Sequence, residues 1–544
     1  DEGVMPQTVE HLGILSMLDL HRGIIVVTKA DMVEPDWLSM ICDDIRERVG
    51  GTFLENAPMC CVSAYTGQGI PELRELLFRM VAESEDKNEE LPFRIPVDRV
   101  FSVEGFGTVI TGTMIEGTLA DGQEVMLYPS GQMAKARNIQ VHSADAERAY
   151  AGQRTAVNLA GIKKDEVQRG DVLAPAGTML VSRMVDVRLS LLPDTARTVK
   201  NNSRLHFYHG AREALCKVVL LDCDELKAGE SGYAQLRFEE DIAVKPYDRY
   251  VVRFYSPLET IGGGVVLDPC PHKHKRDEET VKLLRVREKG TPSEQLEVSI
   301  AENSRYFGTV DFAALQAGIL PGALQAALDG LAVEEKIVRI TDKIYLHADY
   351  VKTVRRDLVQ LMNDFHKQYP LKAGMRREEL RTRLLPRAEL AYVDRLLSYF
   401  IEKKTVKEVS GLISLYSFKV EVGEKLAKLS GDIEGLYQAA GFTPPSTDEV
   451  LERFKGEKNM DQLLSAMIAD GTLVWLADQI YMHKEFYEKG LQAAYDLIAA
   501  KGELVLSDYR DAIGTSRKFA LALLEQFDRK KITRKTGDSR VLAK

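Results

Sequence analysis

The sequence predicts a multidomain chain: a partial α/β unit, two β-barrel domains, then tandem, mostly α, winged-helix domains. Three patterns predict it. Over roughly the first 85 residues, β-branched apolar runs alternate with helical periodicity. From Leu91 to about Pro269, short alternating runs are cut by Gly and Asp turns. Beyond "DPCPHKHKRDEE", helical stretches are each followed by a short β pair, at a period of about 68 residues. At 544 residues the chain is too long for one core, and roughly three to five domains are expected.

The elements follow in order. A helix is predicted from Thr8, with Leu12, Leu15 and Leu18 on one face. "RGIIVVTKAD" reads as a buried parallel strand, "PDWLSMICDDIRERV" as a helix, "PMCCVSA" as a second strand and "IPELRELLFRMV" as a second helix. The charged "AESEDKNEE" closes this first domain, residues 1–88. "FRIPVDRVF", "GTVITGTM" and "EVMLYP" belong to an all-β region with a seam near Ala174–Gly177, giving barrels at 90–177 and 180–270. "KIVRITDKIYLH" (Lys336–His347) returns as "TLVWLADQIYMH" (Thr472–His483). "TVKEVSGLISLY" (Thr405–Tyr416) lies between them with the same outline, and "ITRKTGDSRVL" is a weaker copy at the end. Helices closed by a hairpin point to four winged-helix units, 277–348, 349–420, 421–487 and 488–544, in preference to a plain helical spacer.

Composition narrows the setting. A chain with 45% hydrophobic and 28% charged residues is ordinary for a globular protein. No apolar run approaches the ~20 residues that span a bilayer, and neither a signal peptide nor a membrane partner is expected of what reads as a cytoplasmic protein. Six scattered cysteines without a CxxC pair fit a reducing compartment. "CPHKH" (Cys270, His272, His274) has no second ligand cluster, so an exposed linker and no metal site are expected. The net charge of −10 conceals an asymmetry, because from Thr515 onward nine Lys and Arg face three Asp and Glu. Such a local excess is the footprint of a nucleic-acid contact.

"VVTKAD" ends the first strand and puts Thr28, Lys29 and Asp31 at its carboxyl edge, where open α/β sheets bind ligands. A carboxylate there accepts two hydrogen bonds from guanine N1–H and its amine, a donor pair adenine lacks. The stem of Lys29 can lie across the ring. The second strand ends in "SAYTGQG", so Ser63 and Ala64 can offer backbone N–H groups to the guanine O6. At these residues, and in "DEGVMPQTVEHL", the sequence resembles the second half of the GTP-binding domain of translational GTPases of the elongation factor Tu kind. The family's usual Asn is Thr28 here. A hydroxyl tethers the neighbouring loop less firmly, so lower base affinity is expected with selectivity, which rests on Asp31, retained. The resemblance implies GTP or GDP as ligand, and a preceding phosphate half bearing the P-loop and the Mg²⁺-binding switch. No Gly-Lys dipeptide occurs in the chain, so it holds no P-loop of the G-x-x-x-x-G-K-[ST] kind. No catalytic residue is assigned, Mg²⁺ is expected only with that preceding half, and this chain is expected not to hydrolyse GTP alone.

"FRIPVDRVFSVEGFGTVITGTMIEGTL" and "RFYSPLETIGGGVVLDP" resemble the second and third domains of the same factors. Joined to the helical repeats, the whole resembles the bacterial selenocysteine-specific elongation factors. That resemblance implies a pocket for the selenocysteinyl end of the tRNA at Asp98, Arg99 and Arg154. The chemistry is consistent. A selenol is an anion at neutral pH and a serine hydroxyl is not, so two guanidiniums, one oriented by Asp98, favour the selenolate.

In the last unit, Ser507 is predicted to cap a short helix, Gly514 to turn, and Thr515 or Ser516 to cap a second helix. Phe519, Leu523, Leu524 and Phe527 form its core face. Arg517 and Lys518 in its first turn oppose the helix dipole, which points to a phosphate as their counter-charge. With Arg510, Thr515 and Ser516 before them and Arg534 and Arg540 on the final hairpin, they make a nucleic-acid clamp. The resemblance makes its ligand an mRNA hairpin downstream of a UGA codon, with selenocysteinyl-tRNA and the ribosome as further partners of a monomer. Two other readings stay open at this point. One is a winged-helix nucleic-acid regulator on a GTPase scaffold; the other is a general elongation or initiation GTPase.

Overall fold

The computed structural model describes residues 4–84, 88–105, 107–370, 372–409, 411–418, 424–455 and 460–543. The middle of the charged linker "AESEDKNEE" and the first residues of the window 421–487 lie outside them. The chain divides into two compact units, residues 1–350 and 351–544.

In the first unit a helix, Pro6–Met17, begins two residues earlier than expected because Pro6 occupies its first turn, where a missing N–H is harmless. Leu15 and Leu18 are exposed, which corrects the predicted apolar face. The packed face instead carries Gly13, against Leu192, and Met17, against Gly263. It seats the helix on the second barrel, and Glu10 Oε1 accepts from Arg253 (3.0 Å) and Thr260 (2.8 Å). The strands Ile25–Val27 and Met59–Cys61 pair in parallel with Val27 opposite Cys61, so both chains leave the sheet at the same carboxyl edge. The helices Pro35–Val49 and Ile70–Ala82 follow them.

The first barrel closes because Arg154–Ala160 pairs with both Gly107–Thr113 and Gln132–Val141. Alternate residues of its strands, among them Ile95, Val97, Ile110, Val125, Leu127, Val157 and Leu159, fill the interior. The second is a closed barrel of six strands around Val185, Val187, Leu205, Phe207, Leu236, Tyr250 and Val252. Its last strand, Thr260–Asp268, carries Gly262–Gly264. A Cβ on Gly264 would stand 1.9 Å from the Arg188 carbonyl oxygen, so the neighbouring strand comes this close only to glycine.

Charge, not only apolar surface, joins these parts. Between the barrels Arg94 makes a fork to both Asp248 oxygens (2.7 and 2.8 Å) and reaches Glu116 (2.7 Å), while His209 approaches Asp248 at 3.0 Å. Burial pushes the Asp248 carboxyl up, but His209 and Arg94 overcome it and hold it well below the usual range. A second cluster joins the second barrel to the first helical unit. Arg287, on the helix Glu278–Lys289, is buried and pairs with Asp268 (2.8 Å) and Glu302 (2.5 Å). Gln316 donates to Asp268 (2.8 Å), and His274 pairs with Asp186 (2.6 Å). His274 is therefore a buried structural residue, and the exposed linker expected for "CPHKH" is corrected at this position. Polar groups in this sheet-to-helix joint had to be answered by side chains from the connecting segment.

Helix-then-hairpin recurs four times among the described residues, with hairpins at Ile337–Arg339/Tyr345–His347, Val406–Val409/Leu412–Leu415, Leu473–Ala477/Ile480–His483 and Thr533–Thr536/Ser539–Leu542. Two copies share a joint at their final histidine. His347 Nδ1 accepts the Asp349 N–H while Nε2 faces Glu297; His483 does the same with the Glu485 N–H and Glu434. The repeated "IY-x-H" is thus a cap for the helix that follows each wing.

Arg287→Ala leaves Asp268 and Glu302 buried without their cation, and is expected to remove about 3–5 kcal/mol from the first unit in denaturant unfolding. The joint is also pH-dependent. Burial pushes the Asp268 carboxyl up to about 7 against the pull of Arg287. Burial lowers the His274 imidazole, but Asp186 outweighs it and raises the group above 6.5. Both groups hold protons in the fold that they release on unfolding. The stabilisation is complete below their ordinary values and is lost as pH rises through the raised ones, from about 4 to 7 for Asp268 and above about 6.5 for His274. Urea unfolding at pH 6 and pH 8.5 should therefore show lower stability at the higher pH, with a smaller drop in His274→Gln.

Candidate functional site

Three groups of predicted residues can be placed. The first lies at the shared carboxyl edge of the two parallel strands. Val62 donates to the Val27 carbonyl (2.8 Å) and accepts from the Ala30 N–H (3.1 Å), which ties the two loops together. Lys29 sits in the left-handed region (φ 58°) and starts the short turn Ala30–Met32. A lysine pays about 1 kcal/mol or more for that backbone, a strain typical of ligand sites. Thr28, Lys29, Asp31 and Ala64 are exposed on this edge. Ser63 is not. It is buried, its N–H donates to the Gln68 carbonyl (2.9 Å), and its hydroxyl accepts from the Thr66 N–H (3.1 Å). The expectation of two N–H donors to a base is corrected to one, from Ala64, because Ser63 spends its own in shaping the loop.

The second group is on the first barrel. The register between Ile95–Val103 and Gly107–Thr113 slips after Val97, so that Asp98 is an extra residue and Arg99 lies opposite Thr111. Such a bulge turns two consecutive side chains toward one face. Asp98 accepts from the Thr111 hydroxyl (2.8 Å) and from both Nη atoms of Arg154 (2.6 and 3.0 Å). Burial raises the Asp98 carboxyl, but the Arg154 and Thr111 hydrogen bonds and the charges of Arg154 and Arg99 outweigh it and hold the group below its usual range. It therefore stays ionised and fixes the guanidinium in a plane. Half of the Arg154 side chain remains exposed, and Arg99 is exposed beside it. Arg154 borders a cavity of about 200 Å³ with Thr111, Gln140, His142, Ser143, Thr155 and Ala156.

The third group is in the second unit. The helix Arg517–Arg529 carries no acidic residue in its first turn, and Ser516, Arg517 and Lys518 are exposed there. Arg534 and Lys535 are exposed on the hairpin. Arg517 and Arg534 have no carboxylate partner among the described residues. Arg510 pairs with its neighbour Asp511 (2.6 Å). Arg540 is a correction. It is buried and pairs with Asp528 (2.8 Å), so it braces the hairpin against the helix and is not on the basic surface. Thr515 donates its hydroxyl to the Phe442 carbonyl (2.6 Å), a structural use. Ser516 is the N-cap residue without a side-chain bond, and Ser507 lies inside the helix Leu506–Ile513, not at its cap.

Known proteins place these features together. Residues 1–83 match the elongation factor Tu GTP binding domain, and 107–174 match elongation factor Tu domain 2. Residues 186–273 match the β-barrel domain of selenocysteine-specific elongation factor, and 359–415 and 496–542 match winged helices of elongation factor SelB. A selenocysteine-specific elongation factor of Desulfomicrobium baculatum is 33% identical over the whole of this chain and 86% of its own length. The chain belongs to the selenocysteine-specific elongation factor family. The Escherichia coli member is 27% identical over all of this chain and 85% of its own. A crystal structure of bacterial selenocysteine-specific elongation factor EF-Sec shares the fold, with a TM-score of 0.63 at 22% identity, covering all of this chain and 84% of that one. Among the described residues no helix is long and apolar enough to cross a membrane.

Within this family member, two cavity residues escape a reading of the sequence. His142 (φ 52°) and Ser143 (φ 66°) form the two-residue turn between Val141 and Ala144, both left-handed, in a place that usually takes Asn-Gly. "VHSAD" carries no such turn signal, so neither residue can be assigned to the cavity beforehand. The placement of Arg540 gives a prediction. Arg540→Ala should lower the stability of the second unit by about 2 kcal/mol or more, because Asp528 loses its partner. Arg517→Ala should leave it within about 0.5 kcal/mol. Thermal unfolding of both variants checks the distinction.

Proposed function

We propose that this chain delivers selenocysteinyl-tRNA to the ribosome at UGA codons while its last winged helix holds an mRNA hairpin. The observation that carries the reading is the two-pronged bond from Arg154 to Asp98, beside Arg99 and a cavity. A guanidinium already oriented by one carboxylate, with half its surface open, offers its remaining donors to an anion at little entropic cost. A selenolate is such an anion at neutral pH; a seryl hydroxyl is not. At the partly screened dielectric of this half-exposed site, a charge about 4 Å away contributes roughly 1–4 kcal/mol. That range is enough for discrimination between the two aminoacyl ends. Nothing favours a winged-helix regulator or a general elongation factor, since the relatives above are selenocysteine-specific.

In the same reading Asp31 takes the guanine N1–H and amine, the stem of Lys29 covers the ring, and Ala64 gives its N–H to O6. Thr28, whose hydroxyl has no partner among the described residues, contributes less than an amide would. The residues present fit the base and not the phosphates. No P-loop lysine occurs in the sequence, so the phosphate contacts, and Mg²⁺ with them, are assigned to none of these residues. The division into a GTP-binding part to residue 88, barrels at 90–177 and 180–270 and four winged helices to residue 544 belongs to this reading, as do a monomeric state and a cytoplasmic location. Tethering the carrier to its message raises its local concentration at one codon, so recoding needs no global exclusion of competitors. A-form RNA hides its base edges in a deep, narrow groove, so Arg517, Lys518 and Arg534 act on phosphates and on a looped-out base.

Two outcomes are expected. Arg99→Ala and Arg154→Ala should each weaken selenocysteinyl-tRNA binding by about tenfold or more with seryl-tRNA binding nearly unchanged, measured by protection of the ester bond from hydrolysis. Arg517→Ala or Lys518→Ala should weaken binding of the mRNA hairpin and lower the slope of log K against log salt by about 1 each.

A further inference from the structure

The guanine loops stand on a pair of thiols. Cys42, on the helix Pro35–Val49, and Cys61, the last residue of the strand Met59–Cys61, hold their sulfurs 3.5 Å apart. Both are free and partly buried. Cys60 precedes Cys61 in the same strand, so its side chain leaves from the opposite face. Cys216 is buried in the core of the second barrel, and Cys223 and Cys270 lie far along the chain in connecting segments. We propose that Cys42 and Cys61 are a modification site, forming a reversible intramolecular disulfide by exchange with a low-molecular-weight disulfide.

The geometry needs little change. A disulfide holds its sulfurs about 2.05 Å apart, so the two must approach by roughly 1.5 Å. The exchange balances in two steps. Cys42 loses its proton to solvent and its thiolate attacks one sulfur of R–S–S–R; a mixed disulfide forms on Cys42, and RS⁻ leaves and takes up a proton. Cys61 then loses its proton and attacks the Cys42 sulfur, and the second RSH is released. Two protein thiols are oxidised and one small disulfide is reduced to two thiols. Burial, then the hydrogen bond and charge of Cys42, push the Cys61 thiol up to about 11, which makes it the poorer first nucleophile. With its sulfur 3.5 Å from Cys42, Cys61 is in place to attack the mixed disulfide once it forms.

The bond would tie the helix that follows Asp31 to the strand that leads into the Ala64 loop. Cys61 precedes Val62, whose N–H and carbonyl bind Val27 and Ala30. The disulfide itself stands on the sulfur geometry alone, whereas its effect on guanine nucleotide rests on the reading proposed above.

The test equilibrates the full chain in mixtures of oxidised and reduced glutathione, quenches in acid, alkylates the free thiols and maps peptides by mass. The expected result is loss of two alkylatable thiols and a cross-linked pair of peptides holding Cys42 and Cys61. That product should disappear in Cys42→Ser and in Cys61→Ser and persist in Cys60→Ser. Full alkylation of Cys42 and Cys61 in the most oxidising mixture overturns the proposal, as does a bond that uses Cys60. Release of a fluorescent GDP is then compared between the oxidised and reduced chain. A changed rate in the wild type but not in Cys42→Ser supports the link to the guanine loops; an unchanged rate with the bond formed removes that link and leaves the site. Absence of GDP binding in either state removes the link to nucleotide for this chain, which holds no P-loop, and leaves the disulfide site.

Discussion

Arg287 has no water to solvate it, and its charge must be answered by protein. Asp268 from the last barrel strand and Glu302 from the next helix both converge on it; Gln316 donates to the same Asp268 oxygen, and the Cys270 N–H takes the other. The nearby Asp186–His274 pair extends the same cluster into the connecting segment. An apolar joint of equal area would bind as well and could slide, whereas a buried guanidinium with fixed partners has one position. We read this cluster, and Arg94 between the barrels, as what gives the first unit a single internal arrangement. The two barrels and the helices up to the hairpin Ile337–Arg339/Tyr345–His347 are thereby built as one piece.

The same side chain does different work elsewhere, according to how its charge is answered. Arg287 and Arg94 are buried, each paired with two carboxylates, and they hold structure. Arg154 is matched on one side by Asp98 and open on the other, which leaves a fixed guanidinium facing a cavity. Arg517 has no carboxylate in reach among the described residues and stands at a helix start, where the dipole already favours an anion. In the reading proposed above, buried and paired, half-paired, and unpaired arginines would serve as scaffold, selective pocket and general phosphate contact. Arg540 shows how far position in the sequence can mislead. It lies in a basic segment beside Arg534, yet Asp528 draws it inward.

Much of this was legible in the chain itself. The alternation of "RGIIVVTKAD" and "PMCCVSA" with helices fixes the two strands, and parallel pairing then brings Asp31 and Ala64 to one edge. Asp98 and Arg154 were legible only by resemblance, since their meeting depends on a bulge after Val97 that no local pattern announces. Other features depend on partners remote in sequence. Thr515 looks like a helix cap, but the Phe442 carbonyl takes its hydroxyl. Ser63 looks like a donor, but Gln68 folds back onto its N–H. His274 sits in a stretch rich in charge that reads as solvated, and Asp186, distant in the chain, buries it. Propensity and period are local, and these outcomes were set by tertiary contacts.

The account turns on charge: the first barrel selects a side chain because it is an anion, not because of its size. Cysteine isolates that variable, for a thiol ionises near pH 8.5 while a seryl hydroxyl stays neutral throughout. The most direct measurement is the affinity of the full chain for cysteinyl-tRNA relative to seryl-tRNA, followed from pH 7 to pH 9.5. The account predicts a ratio that climbs through the ionisation of the cysteinyl thiol and stays flat in Arg154→Ala. A ratio that does not change with pH in the wild-type chain would contradict it.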